Sequence, residues 1–177
     1  MKKNLCLVLC LVLLLFIAVG QAEHAAYWLT DSNLEGVFSS IGDLPLQVFI
    51  PSAMGITCID QISPDGGLVL FLDQPDIPLY VFFSYYPEAP VPCTQESVDQ
   101  YLAKGLYADY EQINGMPVLS YFYEETDDHD VAWSYEYTFY GLQDGSSLLE
   151  LRKYPSKRAE KIPYELDSLR YSLCRIE

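Results

Sequence analysis

The sequence predicts an α+β fold in which a largely antiparallel, twisted sheet of about seven strands is covered by two helices. In the run 131–140, large apolar residues alternate with smaller or polar ones. Because successive side chains on a strand face opposite sides of the sheet, this period of two indicates a strand with one large apolar face. Short turns join most of the predicted strands, which is typical of antiparallel pairing. Two amphipathic helical stretches need an apolar face to cover, so we expect a two-layer or an α/β/α sandwich.

Four strands are predicted in the first half of the chain. They are 46–50, 56–60, 68–72 and 79–86. Pro51 ends the first of them, and the turn-forming segments 63–67 and 73–76 separate the others. The preceding segment 34–41 fits either a short helix or a strand.

Two helices are predicted from a change in the spacing of apolar residues. After the proline-rich break 87–92, Thr94 is a suitable N-cap, and four apolar residues follow at helical spacing: Val98, Tyr101, Leu102 and Leu106. Near the end of the chain, Pro163 suits the first turn of a second helix, whose apolar stripe is Leu166, Leu169 and Leu173.

The second half of the chain is expected to form the centre of the sheet. A strand at 107–113 ends in the turn Asn114–Gly115, and three more strands follow at 117–124, 131–140 and 147–153. We expect a helix to cover the large apolar face of residues 131–139. The opposite face carries Tyr140, whose exposure the sequence leaves open.

The first 22 residues have the layout of a secretory signal peptide. Lys2 and Lys3 precede an apolar run at 5–19, and residues 20–22 offer a small-x-small cleavage site. This run is short for a membrane span, which needs about 20 residues, and an uncleaved anchor is the alternative interpretation. We expect a signal peptide at 1–22, an N-terminal segment at 23–44 and a single α+β domain at 45–177. Cleavage near Ala22 would leave a secreted or extracytoplasmic chain without stable membrane insertion.

Acidic residues dominate the charge of the chain. The sequence contains 25 Asp and Glu residues against 10 Lys and Arg residues, for a net charge of −15 at pH 7. Loss of Lys2 and Lys3 with the leader leaves 8 basic residues and a net charge of −17. Such a charge argues against nucleic acid and anionic membrane surfaces as partners, because both require a basic face. The expected partner is an unknown protein or an extracellular polymer, and solubility is the simplest role of the charge.

Cysteine content excludes a disulfide scaffold. Cys6 and Cys10 lie in the leader, which leaves Cys58, Cys93 and Cys174 in the mature chain. In an oxidising compartment, three cysteines permit one disulfide and one free thiol. Both Cys58 and Cys93 fall in the N-terminal half, so theirs is the disulfide that we expect first.

An acidic loop between two predicted strands is the best local candidate for a metal site. Glu124, Asp127, Asp128 and Asp130 supply several carboxylate oxygens on one loop, as hard cations such as calcium require. The spacing lacks the D-x-D-x-D-G pattern of a calcium loop, and a solvated loop tip is the simpler interpretation. No other cofactor is expected.

Aromatic residues form the second candidate surface. The chain contains 15 tyrosines and 8 phenylalanines, which is more than one sheet face needs. Tyrosine combines a large apolar body with a hydroxyl group and is frequent at interfaces. If the helices leave these residues exposed, the cluster marks a partner surface; if the helices cover them, they belong to the core or its rim.

Known catalytic motifs are absent from the sequence. It contains no Gly-x-Ser-x-Gly nucleophile motif, no phosphate-binding glycine loop and no zinc-ligand spacing. The two histidines are His24, near the expected cleavage site, and His129, in the acidic loop, so a catalytic triad would have to use one of them. We therefore expect no catalytic residues, and a hydrolase that uses carboxylates and His129 is the enzymatic alternative.

Several short motifs occur in the order found in one known superfamily. Val48-Phe49-Ile50-Pro51 is followed by the turn Pro64-Asp65-Gly66-Gly67, a helix, the segment Ile113-Asn114-Gly115-Met116-Pro117 before an aromatic hairpin, and a terminal helix ending at Ser168-Leu169. In this order the chain resembles the PsbP/Mog1-like superfamily over residues 46–173, although no Trp follows Pro51. The resemblance implies an accessory or binding role and no shared catalytic residues, so no functional residue is carried over.

These features favour a secreted, non-enzymatic binding or accessory domain of unknown ligand. A secreted acidic inhibitor of a cationic extracellular enzyme is the alternative, because the negative charge of the chain would steer it towards such a target. The sequence does not identify the ligand, the oligomeric state or the cysteine pairing.

Overall fold

The computed structural model describes residues 35–52, 54–58, 67–74, 78–88, 90–161 and 167–176. They belong to one compact unit, Glu35–Glu177. The expected signal peptide at 1–22 and its cleavage near Ala22 lie outside the described residues. The segment 34–41, which fitted either a helix or a strand, contributes a strand to this unit.

Ten strands, two α-helices and one 3₁₀ helix make up the described residues. The strands are β1 Gly36–Ser40, β2 Leu46–Pro51, β3 Gly55–Cys58, β4 Gly67–Gln74, β5 Leu79–Tyr86, β6 Tyr107–Ile113, β7 Met116–Thr126, β8 Ala132–Gly141, β9 Ser147–Pro155 and β10 Cys174–Arg175. The helices are α1 Gln95–Ala103 and α2 Asp167–Ser172, and the 3₁₀ helix is Ser156–Lys161. None of the described helices is long and apolar enough to cross a membrane.

The strands form two sheets in which every pair is antiparallel. The larger sheet has seven strands in the order β3-β4-β5-β9-β8-β7-β6, and the smaller one has three in the order β1-β2-β10. The predicted α+β class with a largely antiparallel sheet is confirmed. The separation into two sheets was not predicted, because β2 alternates like any other strand and its sequence does not reveal its partners.

The main hydrophobic core lies between the two sheets and includes α2. Val48 of β2, Val118 of β7 and Leu169 of α2 are fully buried in it. Tyr140 of β8 is also fully buried, which settles the exposure that the sequence left open. The smaller sheet and α2 therefore cover the same face of the seven-stranded sheet.

A second, smaller core lies on the opposite face, beneath α1. Val98 of α1 packs with Leu119 of β7, Phe139 of β8 and Leu149 of β9. Leu119 and Phe139 are directly opposite in register, one residue along each strand from the pair of Val118 and Tyr140. Because adjacent residues of a strand face opposite sides, the two helices cover opposite faces, as in the α/β/α arrangement.

The N-terminus of α1 is capped as its sequence predicts. The hydroxyl oxygen of Thr94 accepts a hydrogen bond from the backbone N–H of Ser97 at 3.2 Å. Glu96 lies in the first turn, where its charge complements the helix dipole. Gly105 follows the helix with a φ of 80°, a conformation that glycine adopts at little cost.

The turn between β6 and β7 ties the seven-stranded sheet to the end of α2. Asn114 and Gly115 have φ values of 50° and 77°, as expected for the tight hairpin turn that an Asn-Gly pair favours. The Asn114 side-chain amide donates to the carbonyl oxygens of Tyr171 at 3.0 Å and Leu173 at 2.8 Å. This turn therefore fixes the position of α2 against the sheet.

Candidate functional site

A concave pocket of about 400 Å³ lies between α2 and the edge of the seven-stranded sheet. We call it the acidic pocket, because three of its lining residues are carboxylates. Strand β6 contributes Tyr107, Asp109 and Glu111, and β7 contributes Ser120 and Phe122. Strand β8 contributes Glu136 and Thr138, and α2 contributes Arg170 and Tyr171.

Strand register brings these side chains to one face. Asp109 is directly opposite Ser120, and Ser120 is directly opposite Thr138. Residues directly opposite in antiparallel strands share a face, and every second residue along each strand joins them. The Ser120 hydroxyl donates to the Thr138 hydroxyl oxygen at 3.3 Å, so the two hydroxyls form one polar floor.

The charges of the acidic pocket do not balance. Asp109, Glu111 and Glu136 are its carboxylates, and Arg170 is the one basic residue among the lining residues that the structure describes. The Arg170 guanidinium donates through Nη2 to Glu111 Oε1. Arg170 Nε is buried, and in the described part of the chain it has no hydrogen-bond partner. Arg170 therefore neutralises one of the three carboxylates, and the lining residues as a set keep a net negative charge.

A buried charged network lies behind the acidic pocket. Glu150 and Arg152 are adjacent on one face of β9 and are 0% and 7% exposed. Glu150 accepts hydrogen bonds from Arg152 Nε at 2.6 Å and from the Tyr140 hydroxyl at 2.6 Å. Burial, followed by the charge of Glu150, raises the pKa of Tyr140 well above its usual range. Burial disfavours the charged guanidinium of Arg152, but the neighbouring carboxylates outweigh that effect and raise its pKa.

Glu136 connects this network to the acidic pocket. The Tyr154 hydroxyl donates to Glu136 Oε1, and Arg152 Nη1 lies 4.0 Å from Glu136 Oε2. Burial, together with this hydrogen bond, raises the pKa of Tyr154. The Glu136 side chain is nevertheless 37% exposed. Tyr154 and Arg152 therefore hold the Glu136 carboxylate in place, and its exposed side remains accessible to a ligand.

The opposite face of the sheet carries a row of stacked tyrosine rings. The ring centroids of Tyr101 and Tyr121 are 4.5 Å apart, and those of Tyr121 and Tyr137 are 4.8 Å apart with an interplanar angle of 6°. Tyr123 and Tyr135 form a second stacked pair at 4.9 Å. Burial and the neighbouring tyrosines raise the pKa of Tyr121 to about 12.

A helix was expected to cover the apolar face of residues 131–139, but α1 covers only the C-terminal end of that face. Phe139 is buried beneath α1, whereas Trp133, Tyr135 and Tyr137 are only half-buried. The nine-residue α1 is too short to cover the whole strand, and its Tyr101 ends the row by stacking on Tyr121. The tyrosine rings therefore bury each other in part, and they form the rim of the smaller core.

In the acidic loop between β7 and β8, the Asp127 carboxylate accepts hydrogen bonds from residues of the same loop and from Trp133. Asp127 Oδ1 accepts from the backbone N–H groups of His129 and Val131 at 2.9 Å each, and Asp127 Oδ2 accepts from Trp133 Nε1 at 2.9 Å. The hydrogen bond from Trp133 is the main reason that the pKa of Asp127 is lowered, followed by the bond from Val131.

No group of three or more potential metal ligands occurs among the residues that the structure describes, which include all of this loop. The calcium site at Glu124, Asp127, Asp128 and Asp130 therefore stays a prediction. If calcium binds there, it will raise the melting temperature, and Asp127→Asn combined with Asp130→Asn will abolish the rise. A melting temperature that calcium does not change would remove the site.

The Cys58–Cys93 disulfide stays a prediction, and Cys93 is a free thiol in this structure. Cys93 is a free, buried thiol that donates to the Phe139 carbonyl oxygen of β8 at 3.4 Å. Cys58 belongs to β3, four strand positions from β8 in the sheet order, or roughly 19 Å at the usual strand spacing. A disulfide needs Cα atoms within about 7 Å of each other. Burial also raises the pKa of the Cys93 thiol.

The sequence interpretation missed the residues of the acidic pocket. His129, the histidine of the hydrolase alternative, lies exposed on the loop tip and does not line the pocket. The missed signal was in β6, where Tyr107, Asp109 and Glu111 recur with a period of two on an edge strand. This face of β6 combines an aromatic side chain with two carboxylates. A strand face that only covers a hydrophobic core does not require carboxylates.

Comparisons with known proteins identify the fold. No protein-family model and no curated protein sequence matches the chain. The solution structure of cyanobacterial PsbP (CyanoP) from Synechocystis sp. PCC 6803 matches with a TM-score of 0.51 and 12% identity, over 80% of this chain and 94% of that one. The chain thus has a PsbP-like fold, and the predicted likeness to the PsbP/Mog1-like superfamily is confirmed at the level of the fold.

Two further solved structures match with TM-scores too low to support any conclusion. LpqN of Mycobacterium tuberculosis, described as involved in cell envelope biogenesis, has a TM-score of 0.41 and 10% identity over 84% of this chain and 94% of LpqN. PA94 of Pseudomonas aeruginosa, described as a protein of unknown function, has a TM-score of 0.38 and 11% identity over 72% and 88%.

Proposed function

We propose that this chain is a secreted, non-enzymatic binding or accessory domain and that the acidic pocket is its ligand-binding site. The observation that carries the proposal is a pocket of about 400 Å³ lined by three strands of the seven-stranded sheet and by α2. Small-molecule sites in proteins usually enclose about 300–1,000 Å³ and combine aromatic walls with a few fixed polar groups. The expectation of secretion rests on the leader at residues 1–22.

The walls of the acidic pocket are held in place by contacts between lining residues and by contacts with residues behind them. Arg170 and Glu111 join α2 to β6, and Asn114 fixes the end of α2 by two hydrogen bonds. Glu136 is anchored by Tyr154 and the buried network. Side chains that are fixed before the ligand arrives lose little entropy on binding, so this construction favours recognition.

The chemistry of the pocket supports binding over catalysis. The Ser120 and Thr138 hydroxyls bond to each other, and no histidine or cysteine occurs among the lining residues that the structure describes. A hydroxyl nucleophile needs an adjacent base that is itself oriented by a third group. His129, the histidine of the hydrolase alternative, lies outside the pocket.

NMR titration with a panel of small probes of different charge tests the proposal. The probes are glucose, acetate, methylammonium and the four tripeptides acetyl-Gly-X-Gly-amide, in which X is Lys, Arg, norleucine or Glu. We expect at least one probe to shift the backbone amide signals of Ser120 and Thr138, and Tyr107→Ala to weaken its binding. The matched variant Phe38→Ala removes an exposed aromatic residue outside the pocket and should leave binding unchanged. If no probe shifts the pocket signals, or if the shifts map to the opposite face, the proposal fails.

A further inference from the structure

We propose that the acidic pocket recognises a cationic side chain, the ammonium group of a lysine or the guanidinium group of an arginine, presented by a basic segment of a partner protein. This inference rests on the proposed function and names its ligand class. It follows from the charge, the aromatic walls and the floor of the pocket, each of which restricts the ligand.

The carboxylates select the sign of the ligand charge. Glu111 is paired with Arg170, and the partly exposed Glu136 has Arg152 at 4.0 Å behind it, so Asp109 is the pocket carboxylate without a basic partner among the ion pairs of the described residues. Asp109 is exposed, and its carboxylate accepts a hydrogen bond from the neighbouring backbone N–H of Tyr110 at 2.8 Å. An anionic ligand would meet a net negative site, whereas a cation would pair with Asp109 and approach the exposed side of Glu136.

The aromatic walls favour a cation on a long apolar stem. Tyr107, Phe122 and Tyr171 come from three different elements and line the same pocket. Tyr107 is 72% exposed, which is unusual for a large aromatic side chain on a strand. The face of an aromatic ring attracts ammonium and guanidinium groups, and its apolar surface packs against the methylene groups of lysine and arginine.

The charge of the whole chain favours a protein partner that is itself basic. A net charge of −15 creates a long-range field that attracts cationic partners and accelerates their encounter. A single cationic side chain in the pocket would then be the specific contact within a larger electrostatic attraction. Because salt screens such a field, binding should weaken as the ionic strength rises.

The four tripeptides acetyl-Gly-X-Gly-amide test the ligand class directly. Lysine and norleucine side chains share the same four-carbon stem and differ in the terminal charge, so they are matched. We expect the Lys and Arg peptides to bind at the Ser120 and Thr138 signals and the norleucine peptide to bind about tenfold more weakly or not at all. The Glu peptide should not bind, and 0.5 M NaCl should weaken the binding of the Lys peptide.

Charge-neutralising variants complete the test. Asp109→Asn should weaken binding of the Lys peptide about fivefold, the size expected for one exposed ion pair. Asp128→Asn makes the same charge change on the exposed tip of the β7–β8 loop and should leave the affinity unchanged. Affinity that does not respond to Asp109→Asn contradicts the inference, as does a stronger response to Asp128→Asn.

The outcomes separate this inference from the proposed function. If the norleucine or Glu peptide shifts the pocket signals as strongly as the Lys peptide, the cationic ligand is wrong and the pocket remains a binding site. If none of the probes shifts these signals, both the inference and the proposed function are wrong.

Discussion

Arg170 and Glu111 form an ion pair that joins α2 to the edge strand β6 across the acidic pocket. Their side chains are 22% and 29% exposed, so the pair is partly shielded from water. Together with the buried Leu169, this contact and the hydrogen bonds of Asn114 hold the six-residue α2 against the sheet. The shape of the pocket therefore depends on residues that the sequence places 59 positions apart.

Removing the Glu111 charge should destabilise the protein. Glu111→Gln leaves the Arg170 guanidinium partly buried without its carboxylate, and we expect a loss of about 1–2 kcal/mol in the free energy of unfolding. Urea denaturation measures this loss. Combining Glu111→Gln with Arg170→Met removes both charges and should recover part of it. A single variant as stable as the unaltered protein would show that the pair contributes nothing.

Asn114 should be sensitive to both its backbone and its side chain. Asn114→Ala loses the hydrogen bonds to the carbonyl oxygens of Tyr171 and Leu173. It also places alanine, which rarely adopts the left-handed conformation, at a position with a φ of 50°. We expect this variant to lose about 2–3 kcal/mol of unfolding free energy. Asn114→Gly tolerates the backbone conformation and isolates the loss of the side-chain bonds. If the two variants are equally stable, the positive φ costs nothing and the explanation is incomplete.

The buried network behind the acidic pocket should tolerate loss of its hydroxyl better than loss of its charge. Tyr140→Phe removes one hydrogen bond to Glu150 and should cost about 1–2 kcal/mol. Arg152→Met leaves Glu150 buried without its cation and should cost about 3–5 kcal/mol. Tyr135→Phe, on the half-exposed face, is the matched control for the hydroxyl and should change stability little. Chemical denaturation that ranks Tyr140→Phe as the more damaging change would refute this order.

The indole N–H of Trp133, which donates to Asp127, should respond to the protonation of that carboxylate. Because the pKa of Asp127 is lowered in the folded state, the stability that it contributes is present above its unfolded pKa of about 3.9 and is lost as the pH falls through the folded pKa. The NMR signal of the Trp133 indole N–H should therefore titrate with a midpoint below that of an aspartate in a peptide. Asp127→Asn should remove this titration. A midpoint at or above the peptide value would contradict the bond between Asp127 and Trp133.

The rate at which each cysteine reacts with an alkylating reagent should decrease with the burial of its thiol. Cys93 is buried with a raised pKa, and Cys174 is partly exposed, so iodoacetamide should label Cys174 before Cys93 in the native protein. Peptide mapping without reduction should find no peptide that links Cys58 to Cys93. Such a linked peptide would mean that the position of Cys93 beside Phe139 is wrong.

Local sequence patterns predicted the positions of strands and helices more closely than the way in which these elements pack together. The strands at 79–86 and 107–113 and the cap at Thr94 were predicted at the positions found, because alternation and capping depend on neighbouring residues. The assignment of β2 to a second sheet was not predicted, because strand partners are set by long-range packing. Of the predicted second helix, the described residues contain α2, and residues 162–166 lie outside the described part of the chain.

The candidate site was missed for the same physical reason. Asp109 and Glu136 lie on different strands, and α2 comes from the other end of the chain, so only the docked fold brings them together. The sequence instead drew attention to the acidic loop, where four carboxylates are close in the chain. In the folded loop, Asp127 accepts three hydrogen bonds from its neighbours.

Intermolecular nuclear Overhauser effects with a trimethyllysine peptide would test the central claim most directly. The nine equivalent methyl protons of acetyl-Gly-(trimethyllysine)-Gly-amide give one strong signal beside the cation. The acidic pocket predicts cross-peaks from this signal to the ring protons of Tyr107, Phe122 and Tyr171. Cross-peaks to Tyr123 and Tyr135 on the opposite face, or none to the pocket rings, would contradict the account.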